Sequence, residues 1–230
     1  MRRAHLLIPA LLALAACAPH AAITDAERTR VHQELDGQQR YLRVAAYVAP
    51  FWGDRSKMLL TDQAPAELDV IETTGGTAIA PPTPERILPP GTAVRLREVE
   101  FPTGWLIARR VVMTPRYSPW VYVETAGETR PLVVVLPQTA ANYADVRAEV
   151  EQILSVDDPS SFFRNLPQDQ RAAILKKEPI EGMSPRALEM AWGLPEKKRI
   201  DRPAGTEEWS WAGGKRRAFL QDDRLVRWER

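Results

Sequence analysis

Ile180-Glu181-Gly182-Met183-Ser184-Pro185, running on through Arg186-Ala187-Leu188-Glu189-Met190-Ala191-Trp192 to Gly193-Leu194-Pro195, is the stretch on which the reading of this 230-residue chain turns. Ser184 is a good N-cap, because its hydroxyl can accept from an otherwise unpaired helix N–H. Pro185 suits the first helical position, where its missing N–H costs nothing. The short helix runs through Ala187, Leu188 and Ala191, and Gly193 stops it before Leu194-Pro195. Working upstream, residues 168–177 predict another helix. Working downstream, a polar loop leads to Glu208-Trp209-Ser210-Trp211, a Gly213-Gly214 turn, Arg217-Ala218-Phe219-Leu220, an Asp222-Asp223 turn, and Leu225-Val226-Arg227-Trp228. The order is helix, helix, then three antiparallel strands joined by tight turns.

That order resembles the outer-membrane lipoprotein family called BamE, SmpA or OmlA. Its members carry an Ile…Gly-Met-Ser/Thr opening, a short helix ending in Gly-x-Pro, then an aromatic strand and two more strands. Ile180, Gly182, Met183, Ser184, Gly193 and Pro195 stand at the corresponding places, and Trp209 and Trp211 replace the usual W-x-Y. The resemblance covers about residues 168–229. It departs from the family in two ways: a long additional stretch precedes this domain, and Asp223 or Arg224 stands where the last turn usually has glycine. The resemblance implies an α+β fold for residues 167–230, two helices packed on a three-stranded antiparallel sheet. It implies an accessory role in outer-membrane protein assembly, without catalysis. The same fold occurs in secreted β-lactamase inhibitors, so it reads as a recognition scaffold rather than as one function.

At the other end, Arg2 and Arg3 precede an apolar run, 6–16, too short to cross a bilayer as a mature helix. Residues 1–16 read as a signal peptide. Leu14-Ala15-Ala16-Cys17 resembles the lipobox of bacterial lipoproteins, which implies a covalent lipid on Cys17 and attachment to a membrane by two or more acyl chains. Cys17 is the only cysteine, so an intrachain disulfide is ruled out. Ala18, not Asp, follows it; by resemblance to proteobacterial sorting this points to the outer membrane, facing the periplasm. The formal net charge is +1; without Arg2 and Arg3 it becomes −1. Such balance offers no basic face for nucleic acid.

Between the ends, three regions are expected. Residues 17–49 form the lipid anchor and a helical stalk: Thr24 and Glu27 look like a capping box, and Val31, Leu35, Leu42 and Ala46 recur at helical spacing over 25–48. Residues 50–138 hold twelve of the 20 prolines, and helical periodicity disappears there. Strands are predicted near 68–73, 77–80, 93–101, 105–113, 120–125 and 132–136, separated by turns such as Thr74-Gly75-Gly76, Pro89-Pro90-Gly91 and Ala126-Gly127. The alternation of Val94 and Leu96 shifts phase at Val99 and Phe101, which predicts a bulge. This β-rich unit reads as a small SH3-like barrel or sandwich. Residues 139–166 read as a helical connector, capped by Thr139, with Val146, Val150 and Ile153 on one face.

The residue inventory argues against several chemistries. Of the three histidines, His5 lies in the leader and His20 beside the anchor, leaving His32 alone on a polar helix. That is too little for a histidine triad or a zinc site. The pairs Asp157-Asp158, Glu207-Glu208 and Asp222-Asp223 read as cap and turn residues, although distant carboxylates acting on glycan stay open. The expectation is a non-enzymatic protein with no cofactor beyond its lipid. Trp192, Trp209, Trp211 and Trp228 have two readings, core volume or an exposed recognition patch, with Trp192 the one best placed for exposure. The basic runs Lys197-Lys198-Arg199 with Arg202, and Lys215-Arg216-Arg217, either hold anionic lipid headgroups or an acidic partner, or simply form a solvated loop and protect a sheet edge. The candidate partner-binding set is thus Trp192 with these seven basic residues. The expected partner is an envelope protein, with the outer-membrane assembly machinery foremost; a cell-wall-binding or enzyme-inhibitor module is the alternative.

Overall fold

The computed structural model describes residues 22–64 and 67–230. Cys17, with the leader and His20, lies outside the described residues. Thr24 accepts from the Glu27 N–H and starts α1 (Asp25–Leu35) as its sequence predicts. The helix then stops early. Asp36 leaves helical geometry, and Gly37 takes a φ of +76 that turns the chain back onto the sheet, its N–H donating to Leu96 O. The residues expected to continue the helix to 48 instead form β1 (Gln39–Leu42) and open β2 (Ala46–Phe51). Leu42 and Ala46 fit a helical spacing, but the Asp36-Gly37 stop and the partners waiting on the sheet outweigh it. Trp52 and Gly53, with φ of 40 and 86, make the two-residue turn into β3 (Asp54–Thr61). A left-handed tryptophan is not a recognisable hairpin signal, so both strands escape a reading by turn motif.

The chain continues through β4 (Ile71–Glu72), β5 (Ala78–Ile79), β6 (Arg86–Leu88) and β7 (Ala93–Glu100). Helix α2 (Gly104–Arg109) follows, then β8 (Trp120–Thr125), β9 (Leu132–Val135), α3 (Tyr143–Ile153), β10 (Leu154–Ser155) and α4 (Ser160–Asn165). Eight strands form one sheet in the order β10-β1-β7-β8-β9-β3-β2-β6. Only β3 and β9 run parallel, and the predicted bulge falls between Leu96 and Glu98. This corrects the expected small barrel or sandwich. The sheet is open, with edges β10 and β6, and it recruits strands from both sides of the 50–138 segment. Its strands alternate strictly enough to bury two faces. One face carries Leu42, Val48, Leu60, Leu96, Val121 and Val134, closed by Val31 and Leu35 of α1 and by Val146 and Val150 of α3. The other packs Phe51, Leu59, Trp120 and Val133 against Ile71 and Val112. Burial of each such side chain contributes roughly 1.5–3 kcal/mol, which is why β1 and β10 belong to this core rather than to a stalk or connector. The expected connector helix begins later than predicted, because Asn142 rather than Thr139 accepts from the third N–H, that of Asp145.

The segment 105–113, expected as a strand, is mostly α2. Pro102 cannot donate to a ladder, and Thr103 Oγ1 instead accepts from Leu106 N–H at 3.3 Å, capping a helix. After it, buried Arg110 ties the loop to the sheet. Its Nη1 donates to Arg116 O and Ser118 O at 2.9 and 2.8 Å, its Nη2 donates to Glu100 at 2.5 Å, and it lies 3.6 Å from the Trp120 ring centroid. Arg110→Ala strands a carboxylate and two carbonyls, so we expect a loss of about 3 kcal/mol in urea unfolding. Arg110→Lys should recover less than half of it, since an ammonium cannot span that fork. Equal midpoints for Arg110→Ala and the parent would refute the assignment.

The C-terminal unit contains α5 (Gln168–Lys176), α6 (Pro185–Trp192) and the strands β11 (Lys197–Asp201), β12 (Thr206–Trp211), β13 (Arg216–Gln221) and β14 (Arg224–Glu229). Ser184 caps α6 by accepting from Ala187 N–H, with Pro185 inside it. Asp222 and Asp223, with φ of 47 and 57, make the last hairpin turn without glycine. The sheet has four strands, in the order β11-β12-β13-β14, not three. The class α+β still describes the chain, but the expected arrangement of two helices on a three-stranded sheet is overturned. The additional strand is the supposed polar loop. All five of its residues are exposed, so it shows no hydrophobic alternation to read.

Candidate functional site

The predicted site residues separate into two groups. Trp192, expected to be the most exposed tryptophan, is 1% exposed. Its ring meets Trp211 edge to face at 5.1 Å, and its Nε1 donates to Lys177 O. An apolar helix face with one tryptophan edge fills the small core against the sheet, so the core reading of the tryptophans holds for Trp192, Trp209 and Trp211. Arg216 is buried as well, its Nε 2.5 Å from Glu67 Oε1 in a close ion contact. Neither residue is available to a partner.

The remaining cations lie along β11, just beyond it at Arg202, and around the start of β13 at Lys215 and Arg217. β11 pairs only with β12, Lys197 opposite Ser210 through Asp201 opposite Thr206, and its other hydrogen-bonding edge is open. Lys198 is partly committed, to Glu189 at 2.9 Å and to the Trp209 ring at 3.7 Å. Arg199 reaches Glu208, and Arg217 bridges Glu208 and Glu229 on the solvent face. Lys197, Arg202 and Lys215 are exposed and have no carboxylate partner among the described residues. Ile200, 51% exposed, lies between the cations. An open strand edge offers main-chain donors and acceptors, and like charges along it discourage pairing with another copy while favouring an acidic segment. No protein-family model, curated protein or solved structure matches this chain.

A buried ion cluster ties the C-terminal unit to the eight-stranded sheet. Ala45, in the corner between β1 and β2, donates its N–H to Met190 O at 2.7 Å and accepts from Lys177 Nζ at 2.6 Å. Lys177, 2% exposed and left-handed at φ 55, ends α5. Burial drives its ammonium down to about 8, with the Asp62 carboxylate opposing. Burial likewise raises the Asp62 carboxyl, against the pull of Lys177 and Arg216. Asp62 lies against Gly193, Glu67 holds Arg216, and Arg230 donates to Lys177 O. A cavity of about 260 Å³ beside them is lined by Tyr47, Glu67, Lys177, Trp192, Arg216 and Arg230 among others. A lysine with a lowered pKa can act as a nucleophile, but this one is enclosed and bonded to a main-chain carbonyl. Its geometry is that of a clamp. No sequence signal distinguishes Lys177 from Lys176, and Gly193 is legible only as a helix stop.

Proposed function

We propose that this chain is a non-enzymatic envelope lipoprotein, held at the outer membrane by acyl chains on Cys17, whose C-terminal sheet recognises an acidic segment of an envelope protein. The observation that carries this reading is the free, fully exposed β11 edge with unpaired Lys197 and Arg202 flanking Ile200. An incoming strand gains affinity from main-chain hydrogen bonds and selectivity from charge. The Leu14-Ala15-Ala16-Cys17 run supports the anchor, and Ala18 supports the outer membrane. The Gly182–Pro195 motif supports a place in outer-membrane assembly, although the fourth strand departs from the arrangement it implies.

A photo-crosslinking amino acid at Arg199 in the native host, with Arg97 on the eight-stranded sheet as control, tests the proposal. The expected product is one envelope protein captured at position 199 and not at 97, and lost on Lys197→Glu/Arg202→Glu. Recovery of muropeptides alone, or of the same products at both positions, would put a cell-wall-binding module in its place.

A further inference from the structure

Helix α2 has no buried residue, although four of its six residues are Trp105, Leu106, Ile107 and Ala108. Trp105 is 70% exposed, and Val111 just beyond it 59%. Isolated surface apolar residues are ordinary, but two large ones this exposed within seven residues of chain, one on a helix that buries nothing, make a candidate contact surface. The surrounding composition says for what. The segment 101–119 contains Arg109, Arg110 and Arg116 and no aspartate or glutamate. Arg110 is spent on Glu100, leaving Arg109, whose guanidinium lies 5.4 Å from the Trp105 ring, and Arg116. Tryptophan beside short aliphatic side chains and arginine suits the headgroup boundary of an anionic bilayer, where the ring sits between water and acyl chains. No helix among the described residues is long and apolar enough to cross a membrane, so such a contact would lie in the membrane plane.

The fold also places this patch near the start of the described chain. Arg28, in the first turns of α1, lies 5.9 Å from the Phe101 ring centroid, and Ile23 packs on the same cluster as Phe101. Phe101 is three residues from the first residue of α2. Cys17 precedes Ile23 by six residues, a reach on the order of 20 Å at most. We propose that α2 and Val111 form a second, monotopic membrane contact. Trp105 and Val111 enter the headgroup–acyl boundary of an anionic bilayer, and Arg109 and Arg116 meet lipid phosphates. The tether argument rests on the lipoprotein reading; the patch and its charge do not. Two points of attachment would hold the body in one orientation on the membrane.

Because Cys17 is the only cysteine, residues 17–230, which hold every described element, can be coupled through that thiol to a maleimide phospholipid. The vesicles are phosphatidylcholine mixed with phosphatidylglycerol, with or without brominated acyl chains. Brominated chains are expected to lower the tryptophan emission of the parent and to have no effect on Trp105→Phe, which should fold with an unchanged Tm. Trp52, Trp120, Trp192, Trp209 and Trp211 are buried in the protein. Iodide in the aqueous phase should lose access to Trp105 on the vesicles. Equal bromine quenching in the two proteins, or undiminished iodide access, overturns the proposal. So does shielding of Trp105 that requires crowded vesicles and comes with dimer crosslinks, which would assign the patch to a second copy. Chemical coupling makes the result independent of acylation in the cell. That reading is checked separately, by incorporation of labelled fatty acid and its loss in Cys17→Ser.

Discussion

Gly193→Ala is expected to cost the folded state about 4 kcal/mol in urea unfolding, from two causes that can be measured apart. The first is the backbone: φ of +86 with ψ of 179 lies in a region that only glycine occupies freely. The second is steric. A Cβ at this position would lie 2.2 Å from Asp62 Oδ2 and 3.2 Å from its Cγ. Asp62 would have to move away, and with it the carboxylate that most favours the charged form of Lys177. The carbonyl of Gly193 also accepts from Trp211 Nε1 at 3.1 Å, so a shifted backbone would loosen the core tryptophan too. Gly182→Ala serves as the control: its φ is +81, but nothing lies within 4 Å of an added Cβ, so only about 1–2 kcal/mol should be lost. Adding Asp62→Ala to Gly193→Ala should relieve the steric part and leave the backbone part, giving a cost below the sum of the singles. Additive losses would refute the contact between Asp62 and position 193.

The second large effect is a stability that rises with pH. Unfolded lysine titrates near 10.5, whereas burial lowers Lys177 in the fold to about 8. Between these values the unfolded chain binds more protons, so the folded state gains as pH increases, by roughly 3 kcal/mol over the whole window. Below pH 8 both states are protonated and the gain is absent. The groups facing Lys177 are Asp62, Glu67, Tyr47, Arg216 and Arg230. The Asp62 carboxyl, raised by burial, has the opposite sign: it withdraws stability as pH rises from its ordinary value through its folded-state value. Tyr47 and Tyr122 are both raised by burial, so they too withdraw stability, as pH passes 10. Urea midpoints should therefore rise from pH 7.5 to about 9.5 and then turn down. Lys177→Met/Asp62→Asn removes both charges and should flatten the rise. A flat profile in the parent would show that Lys177 is not held in the buried, desolvated state described.

The sequence was most legible where one local rule acts on a few neighbouring residues. Thr24 and Ser184 cap the helices they were expected to cap, the phase shift after Leu96 is a bulge, and Asp222-Asp223 is a tight turn. Each depends on hydrogen bonds or φ values within about four residues. The same locality explains the errors. Residues 39–48 have helical spacing, but the ladder partners of 39–42 lie on β7 and β10 and those of 46–48 on β3 and β6. Residues 197–201 look like loop because both faces of an exposed edge strand are polar, and only pairing to β12 makes them a strand.

The site was read in the same uneven way. The basic run at Lys197, Lys198, Arg199 and Arg202 is plain in the sequence, as are the lipobox cysteine and the cation-rich segment 101–119. Which cations face solvent is not: Arg216 and Arg217 are neighbours, yet one lies in a buried ion pair and the other on the surface, because successive strand residues point to opposite faces. Sequence alone determined the local turns and caps, the charge balance, the lone cysteine and the α+β class. The tertiary structure alone decided that Trp192 is core, that Lys177 reaches the Ala45 carbonyl across more than a hundred residues to tie the C-terminal unit to the eight-stranded sheet, and that α2 buries none of its residues. Caps and turns depend on contacts within a few residues of chain, whereas burial is set by what folds over a residue from far away.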